Sequence, residues 1–227
     1  MCGIVGYVGT RQAAPEVYRG LLRLEYRGYD SVGLAVLNGS SLGVVRKKGK
    51  VDAVREEIGG MIGTIGIGHT RWATHGAPSE RNAHPLRSGK FAIVHNGIIE
   101  NYRALREELE ANGFVFSSDT DSETIAHLFA LYDRGDLRET LRAVVRRLEG
   151  SFAIAALCEG APNVIAAARR NSPLIVGRGE TGYYLASDIP ALAGCVQTVT
   201  VLKNGDMALV CADRVQIFDD RGEVRRQ

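Results

Sequence analysis

Apolar residues fall along this chain in many short runs and a few longer periodic ones. The short runs read as strands: Ile4–Val8, Val32–Leu37, Leu42–Arg46, Thr64–Gly68, Phe91–Val94, Ser151–Leu157, Asn163–Ala168, Tyr183–Ala186, Thr198–Leu202, Met207–Val210 and Val215–Phe218. Asn-Gly in "LNGS" (Leu37–Ser40) and "KNGD" (Lys203–Asp206) predicts tight hairpins, and hence antiparallel pairing. Other segments carry a helical period. Pro15–Leu24 sets Val17, Leu21 and Leu24 on one face, with Pro near the start. Asn101–Gly113 opens on a capping Asn and closes on Gly. "TDSETIAHLFALY" begins with Thr120 and Glu123 at capping-box spacing. Asp136–Gly150 aligns Leu137, Leu141, Val144, Val145 and Leu148 in one stripe. Strands such as "FAIAAL" and "VIAAA" are apolar on both sides and need cover on both faces. A sheet packed on a sheet with helices outside each meets that demand. The expected fold is therefore α+β, a four-layer α/β/β/α arrangement of two mostly antiparallel sheets.

Composition narrows the function. The chain has 227 residues, 45% hydrophobic, enough for one large domain or two small ones. With 28 Lys+Arg against 26 Asp+Glu the net charge is +2, which signals neither nucleic acid nor a membrane surface as partner. "RKKGK" (Arg46–Lys50) reads as a solvated hairpin end. No internal repeat and no low-complexity linker interrupts the chain. No apolar run approaches the roughly 18 residues of a spanning helix. The N-terminus lacks a basic-then-apolar secretory pattern. None of the four cysteines forms a C-x-x-C pair, so a reducing cytoplasm is expected. Cys158, Cys195 and Cys211 lie in or beside apolar stretches and read as small buried hydrophobes.

Candidate chemistry begins at Cys2. A free thiol titrates near 8.5 and needs a base to become a nucleophile. If Met1 is removed, which a small second residue favours, Cys2 carries the free α-amine. An amine with a pKa near 7.7–8.0 can take the thiol proton directly or through a water. The alternative is a small residue starting a strand. "GIGHTRWATHGAPSERNAHP" (Gly66–Pro85) leaves a strand for a polar loop holding Arg71, Trp72, Thr74 and His75. Arg71 suits a bidentate carboxylate clamp, or simply lies at the surface. Trp72 either covers something or joins the core. In "FAIVHNGIIENY" a strand ends at His95-Asn96-Gly97 and a turn follows. The Asn96 amide and the Gly97 N–H suit an oxyanion hole, or an ordinary turn. In "SSDTDSE", Asp119 and Asp121 decorate a helix start, or Asp121 holds an ammonium group. His69, His75, His84 and His95 lack metal-ligand spacing, so no metal and no cofactor is expected. A thiolate, an oxyanion pair, an Arg for a carboxylate and an Asp for an amine together suit hydrolysis of glutamine's side-chain amide.

"CGIVG" directly after Met1, "LEYRGYDSVGLAV" (Leu24–Val36), "HTRWATHG", "NAHP", "VHNGIIEN" and "TDSETIAHL" resemble the N-terminal glutaminase domain of the glucosamine-6-phosphate synthase family, class II glutamine amidotransferases. The likeness runs over essentially the whole chain. The "YRGYDS" and "RWATHG" forms look like this synthase rather than amidophosphoribosyltransferase or asparagine synthetase. The resemblance implies an N-terminal-nucleophile hydrolase fold filling residues 1–227 as one domain. It implies that Cys2 attacks L-glutamine and forms a γ-glutamyl thioester. Asn96 and Gly97 would hold the oxyanion, and Arg71 would bind the α-carboxylate with Thr74 and His75 beside it. Asp121, with the Gly97 carbonyl, would receive the α-ammonium. Trp72 would ride on a loop that closes over glutamine. Arg27 would order the terminus and the neighbouring loop. In the family a C-terminal sugar-isomerase half binds fructose 6-phosphate and uses the ammonia, in a homodimer when full length. This chain stops about where that half begins, which suggests an isolated glutaminase domain. The rival readings are the glutaminase of another amidotransferase and a non-catalytic glutamine-binding regulatory module.

Overall fold

Buried on both faces, the first strand ties down a terminus that would otherwise fray. In the computed structural model, which describes residues 2–219 and 221–223, it is β1 (Gly3–Gly9). There follow α1 (Ala13–Arg23), β2 (Ser31–Asn38), β3 (Ser41–Lys48), β4 (Ile65–Arg71), β5 (Leu86–Ser88) and β6 (Phe91–Ile99). Then come α2 (Tyr102–Ala111), α3 (Glu123–Leu131), α4 (Leu137–Arg147), β7 (Gly150–Cys158) and β8 (Val164–Arg170). The chain closes with β9 (Ile175–Arg178), β10 (Gly182–Ala186), β11 (Thr198–Val201), β12 (Met207–Cys211), β13 (Val215–Asp219) and β14 (Gly222–Glu223).

The strands form two seven-stranded antiparallel sheets, ordered β11-β9-β10-β1-β4-β2-β3 and β14-β13-β12-β8-β7-β6-β5. Alternation along each strand divides its side chains between two cores. From β1, Ile4 and Val8 point between the sheets, where Ile65 and Ile67 of β4 meet Ala92, Val94, Ala153 and Ala155 of the other sheet. Val5 and Tyr7 point outward against Val17 and Leu21 of α1. From β6, Phe91 and Ile93 face α3 and α4, packing with Phe129, Leu141 and Val144. The fold is α+β with the expected four layers, and each fully buried Leu, Ile or Phe in them contributes about 1.5–3 kcal/mol. Close approach of α1 depends on Gly68, where a Cβ would lie 2.5 Å from Val17 Cγ1. Among the described residues, no helix is long and apolar enough to cross a membrane.

Several local expectations give way to tertiary structure. The "LNGS" hairpin forms, with Gly39 at φ 59° between β2 and β3. The "KNGD" turn does not make a hairpin. It forms, with Lys203 N donating to Asp206 at 2.6 Å, but it carries the chain from β11 in one sheet to β12 in the other. His95-Asn96-Gly97 is not a strand end either. β6 runs through it to Ile99, pairing Gly97 with Phe152 of β7. Asn101 does not cap α2; its amide donates to Arg147 O and its carbonyl accepts from Glu149 N, pinning the α4–β7 corner. Glu123 forms no capping box with Thr120. Its carboxylate instead accepts from the N–H and hydroxyl groups of Ser117 and Ser118, folding that loop back on α3. Asp136 does cap α4, accepting from Arg138 N and Glu139 N. Cys158 is buried as expected, but Cys195 and Cys211 are only half-buried because both lie close to loops.

Candidate functional site

The site forms where the ends of β1, β4 and β6 meet, and the pleat decides what each strand presents. Cys2, directly before β1, is half-buried. Its sulfur lies between the backbone groups of Trp72: Trp72 N donates to Sγ at 3.2 Å, and the thiol donates to Trp72 O at 3.5 Å. Its carbonyl oxygen accepts from Arg27 Nε at 3.1 Å and from Asn96 Nδ2 at 3.0 Å. Burial pushes the Cys2 thiol up, against the Trp72 hydrogen bond. Such a thiol needs a base close by. Met1, whose removal would free that base, lies outside the described residues.

Arg27 is itself held. Its Nη1 donates to Asp188 Oδ2 at 2.6 Å, and Tyr26 OH donates to the same oxygen at 2.7 Å. Arg71, the last residue of β4, is buried, not a surface group. Its Nη2 donates to the carbonyls of His75 and Gly76, curling the loop around the guanidinium. Its Nη1 is buried with no hydrogen-bond partner among the described residues. Asp121 is buried before α3; its Oδ2 accepts from Ile99 N at 2.8 Å. His75 packs edge-on to Tyr102, with Nδ1 4.0 Å from Asp121. Thr74 is exposed on the loop. Trp72 is not in the core: it is 47% exposed, its edge against Tyr29.

Cys2, Arg71, Trp72, Thr74, His75, Gly97 and Asp121 line one cavity of about 20 Å³. Cys2, Trp72, Thr74 and Gly97 also line an adjoining cavity of about 380 Å³, with Arg27, Asn96, Ile98 and Pro173. Cys2, Arg27, Arg71, Trp72, Thr74, His75, Asn96, Gly97 and Asp121 therefore converge on these two cavities, and Cys2 lines both. The smaller space holds little more than a water.

Three residues that matter here drew no such reading from sequence. Asp30 accepts from Ala73 N and from Ser31 Oγ, anchoring the Trp72 loop to the start of β2. Asp188 orients Arg27. The third is His69, whose Nε2 lies 3.0 Å from both His95 O and Asn96 Oδ1. A histidine placed directly after the apolar run of a strand, as in "IGIGHTR", is the signal that marks it. His69, His84 and His95 gather beneath the site, and burial is the main cause that lowers the pKa of each, that of His69 to about 3. Among the described residues, no three His, Cys, Asp or Glu side chains are arranged to hold a metal ion.

Those histidines set an acid limit on stability. Each is neutral in the fold and charges in the unfolded chain near its ordinary value of 6.5. Their stabilisation is complete above that pH and is lost as pH falls toward their folded values. Each adds a slope of up to about 1.4 kcal/mol per pH unit. Urea unfolding at pH 7, 6 and 5 should show stability declining before carboxylates protonate. H84N, whose amide can still accept from His95 N, should flatten the decline by about one proton. An unchanged slope in that variant would refute the assignment.

A family model described as a glutamine amidotransferase domain matches residues 69–194. The chain belongs to the glutamine amidotransferase family. It is 46% identical over 232 residues to a protein from Clostridium tetani named glutamine–fructose-6-phosphate aminotransferase [isomerizing], covering 100% of this chain and 38% of that protein. It is 50% identical over 227 residues to the protein of the same name from Symbiobacterium thermophilum, covering 98% of this chain and 37% of that one. This amidotransferase domain thus spans well under half the length of those relatives. It superposes with a TM-score of 0.86 on glutamine phosphoribosylpyrophosphate amidotransferase from B. subtilis complexed with ADP and GMP, at 26% identity over 96% of this chain and 49% of that one. The fold is that of the N-terminal-nucleophile amidotransferases.

Proposed function

We propose that this chain hydrolyses the side-chain amide of L-glutamine to glutamate and ammonia through a thioester on Cys2. The observation that carries the reading is the clamp on Cys2: Arg27, Asn96 and Trp72, from three separate segments, all hydrogen-bond this one residue.

The α-amine of Cys2, freed by loss of Met1, takes the thiol proton. The sulfur attacks the amide carbon, and the oxyanion is held by the second N–H of Asn96 Nδ2 and by the Gly97 N–H. The ammonium returns its proton to the leaving nitrogen, ammonia departs, and the γ-glutamyl thioester remains. Water, deprotonated by the same amine, attacks the thioester and releases glutamate with regeneration of the thiol. Arg71 pairs the α-carboxylate through Nη1 while Thr74 and His75 flank it. Asp121 and the Gly97 carbonyl take the α-ammonium. Trp72 closes over the bound amino acid, and Arg27 positions the terminus. No cofactor is called for. In the longer protein, a C-terminal sugar-isomerase half passes the ammonia to fructose 6-phosphate, and that protein is a cytoplasmic homodimer. Residues 1–227 are its glutaminase domain. The names of the two relatives and their greater length support the link to fructose 6-phosphate.

Intact mass and glutamate release, measured together, test the reading. A chain lighter by Met1 that releases glutamate from L-glutamine agrees with it. A correctly processed full-length protein that releases none overturns it in favour of a glutamine-binding module.

A further inference from the structure

We propose that His69 is a positioning residue for the oxyanion donor, holding the Asn96 amide so that its NH₂ faces Cys2. The inference rests on the reading of Asn96 as that donor. Asn96 belongs to the face of β6 that looks between the sheets, and His69 of β4 meets it there from the opposite layer. His69 Nε2 is 3.0 Å from His95 O and 3.0 Å from Asn96 Oδ1. A main-chain carbonyl only accepts, so Nε2 carries the proton. The Asn96 atom facing it must then be the oxygen. At the other end of the same amide, Nδ2 donates to Cys2 O at 3.0 Å.

Both contacts fix one orientation. Rotating the amide by half a turn would set Oδ1 against Cys2 O and Nδ2–H against Nε2–H, leaving two buried pairs repelling. Among the described residues Nδ1 has no hydrogen-bond partner, and the ring lies tilted against His84 with centroids 4.3 Å apart. The imidazole is fully buried and neutral at working pH. It therefore supplies an N–H without adding a positive charge that would compete for the oxyanion. The second Asn96 N–H is left free to face the reacting carbonyl.

The test compares H69M, which fills the space without a donor, with H69Q, whose amide nitrogen can reach the Nε2 position. N96A and the double variant H69M/N96A complete the set. Glutamate release gives kcat and KM, and iodoacetamide alkylation of Cys2 reports on the nucleophile and the fold around it. N96A should lose about 10²–10³ in kcat. H69M should lose about 10–100-fold in kcat with KM within about threefold, the cost of a misplaced catalytic group. H69Q should recover most of that loss. The double variant should be no slower than N96A, and alkylation should stay within about twofold throughout, because His69 acts only through Asn96. Should H69M not fold, H69N serves in its place, its shorter amide stopping at the Nδ1 position. Wild-type kcat in H69M beside a slow N96A overturns the positioning role and leaves the oxyanion reading standing. Wild-type kcat in N96A overturns the oxyanion reading itself. Additive losses, or an acid limb of the pH–rate profile that vanishes in H69M, would assign His69 a different task.

Discussion

Replacing Cys2 with alanine should lower glutamate release by on the order of 10⁴-fold or more while glutamine still binds. The substitution removes the sulfur and its two hydrogen bonds to the Trp72 backbone, and leaves the other reacting groups in place. Alanine is small enough to keep the loss of Met1 favourable, so the terminal amine remains. The carbonyl of residue 2 can still accept from Arg27 and Asn96, because those contacts use the backbone. Arg71 Nη1 and Asp121, the groups proposed to hold the amino-acid head, are untouched. Calorimetric affinity for glutamine within about threefold of wild type, together with absent turnover and no acyl adduct by mass, is the expected outcome. Residual activity above about 1% would mean that another residue performs the attack. Lost binding would instead mean that the sulfur is part of the recognition surface.

Gly97→Ala should be nearly as damaging, by a different route. Gly97 sits at φ 123° inside the β6–β7 pairing, and a Cβ there would lie 2.0 Å from Ser151 O and 2.7 Å from Ser151 C. Backbone cannot yield as a flexible side chain can, so the two strands must part locally. That shift would carry away the Gly97 N–H and re-aim Asn96 beside it. A stability loss of more than about 3 kcal/mol and a kcat loss of at least about 10³-fold follow. Gly113→Ala is the control. Its φ of 86° is also positive, but a Cβ there meets nothing within 4 Å. It should cost only the backbone penalty of about 1–2 kcal/mol and leave kcat alone. Similar melting temperatures and rates for the two variants would show that space around Gly97 is not the constraint.

These two glycines mark how far sequence could be read. Period and turn chemistry located β1, the hairpin at Leu37–Ser40 and the cores of all four helices, because those signals are local. The need to cover "FAIAAL" on both faces led to the layered architecture. Asn96-Gly97 misled on structure. The dipeptide is the strongest local turn signal, yet nine residue pairs of β6 with β7 override it. "KNGD" failed likewise: the turn forms, but nothing in it says which sheet the next strand joins. β5 and β9, of three and four residues, are too short to show a period. In the site, Cys2, Arg71 and Asp121 were legible because their chemistry is distinctive. Asp30, His69 and Asp188 were not, because each works on a partner in a distant segment. Asp188 meets Arg27 across 161 positions, a proximity that only the fold creates.

The chain contains a single tryptophan, and that residue, Trp72, is the one whose backbone grips the sulfur on both sides. Its ring is half in solvent, resting on Tyr29. The indole and the nucleophile are thus tied together through the Trp72 backbone. Any event at the thiol, whether acylation, alkylation or oxidation, breaks at least the hydrogen bond in which the thiol is donor. Intrinsic fluorescence should then report covalent change at Cys2, with no dye to attach and no second indole to subtract.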